Sequence, residues 1–223
     1  MRCFARFHAL PLTLLALSIS LWGAARLFAP HCGSIPVQAA ELKPIELPKP
    51  QVAGGMPVMQ ALAARHTTRA FAERSLPPQT LSNLLWAAFG VNRSRNVKSG
   101  LGRTAPSAHN RQDITLYVLL AEGVYTYDAE QNLLRPVLAG DLRGVGGGAS
   151  KHAAVTIVYV APSKDDYAQV DTGFIGQNVY LFAASEGLNA WFYALHGHDA
   201  AAKLALDSDH SALYAQSVGY PPQ

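Results

Sequence analysis

"DTGFIGQNVYLFAASEGL", residues 171–188, decides the fold. From Thr172 onward it is apolar nearly all round and about four turns long, so it reads as a core helix. Asp171 sits where a helix cap would sit. Gln177 and Asn178 interrupt the apolar run and need partners if they are buried.

Upstream of that helix, "AVTIVYVAP" (154–162) is a continuous β-branched run, the signature of a buried central strand. "DITLYVLLAEGVYTYD" (113–128) reads as two strands around a tight "AEG" turn, and "LLRPVL" adds a third. Downstream, "AWFYAL" and "SALYAQSVGYPP" read as strands, with the short helix "DAAAKLAL" between them. Nearer the start, "VMQALAARH" has helical spacing. "PPQTLSNLLWAAFG" (77–90) opens on proline, places Leu81, Leu84, Leu85 and Ala88 on one face, and stops at Gly90. Helices mixed with hairpins give an α+β fold, with helices packed around a mainly antiparallel sheet.

The first forty residues stand apart. Arg2, Arg6 and His8 precede the apolar run 9–25, and Val37 and Ala39 offer a small-residue cleavage site in "VQAA". Residues 1–40 are therefore expected to be a signal peptide or an uncleaved membrane anchor, with membrane contact through 9–28. Either places the remainder outside the cytoplasmic membrane, in the periplasm or tethered to the outer face. Both cysteines, Cys3 and Cys32, lie in this leader, so the body has no thiol for a disulfide, a nucleophile or a metal site. The leader carries three arginines and no acid, which leaves 15 basic and 15 acidic side chains downstream. A neutral body removes the case for nucleic-acid binding. Residues 41–55, with Pro44, Pro48, Pro50 and the Gly54–Gly55 pair, read as an extended linker outside the core. The folded domain is expected over 56–223.

"RHTTRAF" (65–71) concentrates cations and hydroxyls directly after a helix. On an extended chain Arg65, Thr67 and Arg69 point one way. That makes either a two-guanidinium fork for a phosphate or an exposed helix end that compensates the dipole. "APSAHNRQ" (105–112) is a loop of small and amide residues with backbone N–H groups to offer, or a plain polar turn. "GVGGGAS" (144–150) has too much glycine for a fixed element and reads as a lid or a connector. "HGHD" (196–199) puts two imidazoles on one face of a strand, but no third ligand is fixed by spacing, so no metal is expected.

In this order, "RHTTRAF", "PSAHNRQ" and "DTGFIGQNVYLFAASEGL" resemble the FMN-dependent nitroreductase family. "LLWAAFGVNR" (84–93) and "LYV…EGVYTYD" are more similar to its SagB/ThcOx-type dehydrogenase branch. The resemblance spans nearly all of 56–223. It implies an interlocked homodimer with FMN at the interface and hydride transfer through flavin N5 to or from a small molecule. Arg65, His66, Thr67 and Arg69 would hold the phosphate, ribityl chain and pyrimidine edge. Pro106, Ser107, Ala108 and Asn110 of the other subunit would line the isoalloxazine. No catalytic acid or base is implied. The sequence departs from the family in two places. It ends at "VGYPPQ" without the Lys-x-Arg phosphate clamp, for which Arg103, Arg111 or Lys98 are the substitutes at hand. "AWFYAL" also lacks the Pro-x-Glu-Gly stretch that contacts N5. The alternative is a non-catalytic binding or scaffold protein on the same fold, without tight FMN binding.

Overall fold

The computed structural model describes residues 41–96, 100–162, 166–195 and 199–223. Seven strands form one sheet: β1 (Ile45–Glu46), β4 (Thr115–Leu119), β5 (Gly123–Asp128), β6 (Leu133–Ala139), β7 (Val155–Ala161), β8 (Asn189–Ala194) and β9 (Ser211–Gly219). Their order is β1-β6-β5-β4-β7-β9-β8, and every neighbouring pair is antiparallel. A separate hairpin joins β2 (Val91–Asn96) to β3 (Gly100–Arg103). The helices are α1 (Val58–Ala64), α2 (Pro78–Phe89), α3 (Asp166–Ser185) and α4 (Asp199–Lys203). This is the α+β architecture expected from the sequence.

The continuous apolar run is the central strand. All seven residues of β7 are buried between β4 and β9. α2 buries the face drawn from its spacing: Leu81, Leu84, Leu85 and Ala88. It stops at Gly90, whose N–H reaches the Trp86 carbonyl at 2.8 Å. A Cβ at Gly90 would lie 2.5 Å from the Trp86 ring, so only glycine turns the chain there.

α3 lies against α2, α1 and the sheet. It buries Ala168, Asp171, Thr172, Ile175, Val179 and Ala183, a stripe at helical spacing. Three of its apolar residues stay outside the core: Tyr167, Val170 and Phe174 are exposed. Gln177 is exposed as well, and Asn178 Nδ2 donates to the Ala88 carbonyl. The helix begins at Asp166, so Asp171 lies in its second turn and is not a cap.

Two expectations are corrected. Residues 41–55 are not a free linker. Ile45 and Glu46 pair with Leu134 and Leu133 of β6, and Leu47 is buried in the main core. Asn132 Nδ2 and Ser82 Oγ both donate to the Pro48 carbonyl. Proline shortens the strand without preventing docking, because its carbonyl still accepts. The glycine-rich 144–150 segment is not an open lid. It forms two short 3-10 turns at Arg143–Gly146 and Gly148–His152, and Gly146 lies so close to Tyr193 that a Cβ would overlap the ring at 2.0 Å. The glycines serve a close approach and the left-handed φ of 74° and 58° at Gly147 and Gly148. The leader 1–40, Lys98 and the histidines of "HGHD" lie outside the described residues. Among the described residues no helix is long and apolar enough to cross a membrane, and no cluster of three or more His, Cys, Asp or Glu could hold a metal.

Candidate functional site

α1 ends at Ala64, and Arg65 already has extended dihedrals, φ −59° and ψ 123°. The chain then runs beside β8. Thr68 N–H donates to the Ala190 carbonyl at 3.0 Å, and Asn189 Nδ2 donates to the Ala70 carbonyl at 2.7 Å. Phe71 closes the segment by entering the protein interior.

This backbone places Arg65, Thr67 and Arg69 against two aromatic rings. The Arg65 guanidinium lies 5.5 Å from the Tyr180 ring centre, and that of Arg69 lies 5.4 Å from the Trp191 ring centre. Between them, Thr67 Oγ1 is 3.0 Å from the Tyr180 hydroxyl. That hydroxyl also accepts the Phe192 N–H at 2.9 Å, which anchors the Tyr180 oxygen beside Thr67. Arg65 and Arg69 make no ion pair among the described residues. A compensated helix end would not need this arrangement. Two fixed, unneutralised cations flanking a hydroxyl fit a phosphate. His66 is exposed, with Nδ1 2.8 Å from the Ala64 carbonyl.

The 105–112 loop is held at both ends. Ala108 N–H donates to both carboxylate oxygens of the buried Asp171, at 3.0 and 3.2 Å. Gln112 N–H donates to Ser107 Oγ at 2.8 Å. Between these ties His109, Asn110 and Gln112 all take left-handed φ, from 52° to 54°. Three such non-glycine residues in four positions are uncommon, and strain of this kind gathers at ligand sites.

The two groups of candidate residues do not meet within one chain. Pro106, Ser107 and Asn110 line a cleft of about 520 Å³ with His109, Arg93 and Arg103, and none of Arg65, His66, Thr67 or Arg69 belongs to it. Ala108 is turned to Asp171 through its N–H.

Neither described clamp substitute is an unengaged cation. Arg103 donates Nε to Gln112 Oε1 and Nη1 to the Phe89 carbonyl, both at 3.0 Å. Arg111 pairs with Asp113 at 3.1 Å.

The nitroreductase family model matches residues 62–220, which includes both candidate segments and the core helix. The chain belongs to the nitroreductase family. A solved structure from Ralstonia eutropha JMP134, assigned as a nitroreductase, is 34% identical and covers 82% of this chain and 91% of its own, with a TM-score of 0.74. A Methanocaldococcus jannaschii protein, also assigned as a nitroreductase, is 28% identical over 149 residues, 57% of this chain and 73% of that protein. A structure described as an FMN-dependent nitroreductase from Clostridium difficile R20291 shares the fold, with 18% identity, a TM-score of 0.52, and coverage of 74% and 88%.

Several residues of this candidate site carry no mark in the sequence. Tyr180 and Trp191 orient the arginine segment, but each reads as an ordinary apolar residue of its element. Asp171 looked like a cap and is a tether. Gln112 links the loop to Arg103, and only the amide in "AHNRQ" pointed to it.

Proposed function

We propose that the protein is an FMN-dependent oxidoreductase acting on a small molecule, with its site shared between two copies of the chain. The observation that carries this is the Arg65–Thr67–Arg69 fork, two cations without an ion pair among the described residues, in a chain of the nitroreductase family. Arg65 and Arg69 would hold the phosphate, and Thr67, set by Tyr180, would hold a ribityl hydroxyl. Pro106, Ser107, Ala108 and Asn110 would present the Asp171-tethered loop of the second copy to the ring system. When bound, the flavin supplies the hydride chemistry, and the chain supplies position and electrostatics.

The separation of the two residue groups within one chain supports the homodimer. So do the exposed apolar side chains Val58, Met59 and Leu62 on α1 and Tyr167, Val170 and Phe174 on α3. The finer reading is a SagB/ThcOx-type dehydrogenase, supported by "LLWAAFGVNR", which forms the end of α2 and the start of β2. The leader supports an exported protein, in which nicotinamide is scarce and oxygen or quinone is the fitting electron acceptor.

The experiment is flavin retention in Arg65→Ala and Arg69→Ala. Each variant should bind FMN about tenfold or more weakly, the worth of one charge-assisted contact, while riboflavin, lacking the phosphate, binds equally to all three proteins. Unaltered FMN affinity in both variants would overturn the fork.

A further inference from the structure

The β2–β3 hairpin and the 105–112 loop enclose the 520 Å³ cleft, to which the reading above gives no ligand beyond the flavin edge of the loop. Its floor is formed by glycine. A Cβ at Gly100 would stand 3.0 Å from Asn110 Nδ2, and one at Gly102 would stand 2.9 Å from Arg93 Nε. The missing side chain at Gly102 lets Arg93 lie against the strand, and the one at Gly100 leaves room for Asn110.

Arg103 forms a wall. Its guanidinium is 4.8 Å from the Phe89 ring centre, and its two hydrogen-bond acceptors, the Phe89 carbonyl and Gln112 Oε1, are neutral. Nη2 makes no hydrogen bond among the described residues, and neither Arg93 nor Arg103 forms an ion pair there. Burial pushes the pKa of Arg103 down from its ordinary value, with Glu130 and Asp128 opposing from beyond contact distance. A half-buried cation is ordinarily paired. This one has no ion pair among the described residues and lines open volume beside a second arginine.

We propose that this cleft is an oxyanion site in which Arg93 and Arg103 hold the carboxylate or phosphate of a small-molecule substrate, with His109 and Asn110 at its rim. A planar guanidinium suits a two-oxygen anion, and a second cation fixes its orientation. Assigning that anion to the substrate rests on the flavin reading; the anion site itself does not.

The test is calorimetry on the full-length protein at low salt with 4-nitrobenzoate and its neutral counterpart 4-nitrobenzamide. The anion should bind about tenfold tighter, a preference that added salt reduces. Arg93→Gln, at an exposed position, should remove most of that preference. Arg103→Lys keeps the charge but loses the fork, and should weaken the preference too. Equal affinity for the two probes, or a preference surviving in both variants, would overturn the site. Displacement of 4-nitrobenzoate by FMN but not by riboflavin would put the cofactor's phosphate there and overturn the substrate assignment. Flavin content is read separately by absorbance, so a flavin-free protein that still prefers the anion counts against the flavin reading alone.

Discussion

Asp171 accepts the Ala108 N–H through both carboxylate oxygens, at 3.0 and 3.2 Å, from a wholly buried position in the second turn of α3. One side chain thereby ties the core helix to the loop that lines the cleft. The loop's left-handed residues follow at once, so the tether holds a strained conformation in place.

Removing that carboxylate should be costly. Asp171→Ala leaves the Ala108 N–H without its charged acceptor and should lower stability by about 2–3 kcal/mol in urea melts. Asp171→Asn keeps one acceptor oxygen and should lose less. A loss below about 0.5 kcal/mol in the alanine variant would mean that the loop is held by other contacts.

Leu47 tests the docked N-terminal segment. It is 9% exposed and belongs to the main core, although Pro44, Pro48 and Pro50 lie close to it in the sequence. Leu47→Ala should cost about 2–3 kcal/mol, as truncation of a core leucine does. A free linker at this position would leave the melt unaltered.

Asp141 and Arg143 give a pH signature. Arg143 donates Nε to Oδ1 at 2.9 Å and Nη2 to Oδ2 at 2.7 Å. That hydrogen bonding holds the Asp141 carboxyl below its usual pKa. A depressed folded-state pKa contributes stability above the unfolded value, about 3.9, and loses it as pH falls through the folded value. Wild type should therefore melt above Asp141→Asn at pH 7, and the gap should close as acid protonates the carboxyl in the folded protein. The gap should be small, because Asp141 is 43% exposed and screened by solvent. A gap that persists in acid would assign it to something other than this charge.

The apolar residues left outside on α1 and α3 predict the assembly. Leu62 is 46% exposed and Phe174 is 43% exposed. Leu62→Glu with Phe174→Glu should convert a dimer to a monomer in analytical ultracentrifugation, with the circular dichroism of the fold retained. A dimer that survives both charges would place the interface elsewhere.

Most of the sheet was legible because its strands carry their own patterns. The β-branched run of β7 and the alternation around "AEG" needed no tertiary information. The β2–β3 hairpin was not legible, since "VNRSRN" and "GLGR" lack alternation and carry a single apolar side chain each, Val91 and Leu101. β1 was hidden by its prolines, and its pairing depends on a β6 edge that local propensity does not reveal. The arginine fork was visible as a cluster, but its orientation depends on Tyr180 and Trp191, which lie more than a hundred residues away. α3 misled in one respect. Its all-round apolarity reads as complete burial, whereas one side faces the core and Phe174 faces outward. A helix that buries its second face against another chain leaves the same sequence pattern as one buried within its own.

The most direct measurement is the visible absorption spectrum of the purified full-length protein after incubation with FMN, recorded across its size-exclusion peak. The account predicts an oxidised-flavin band that co-elutes with a dimer. A dimer that stays colourless would leave a nitroreductase fold with a binding role, and flavin carried by a monomer would contradict a site shared between two copies.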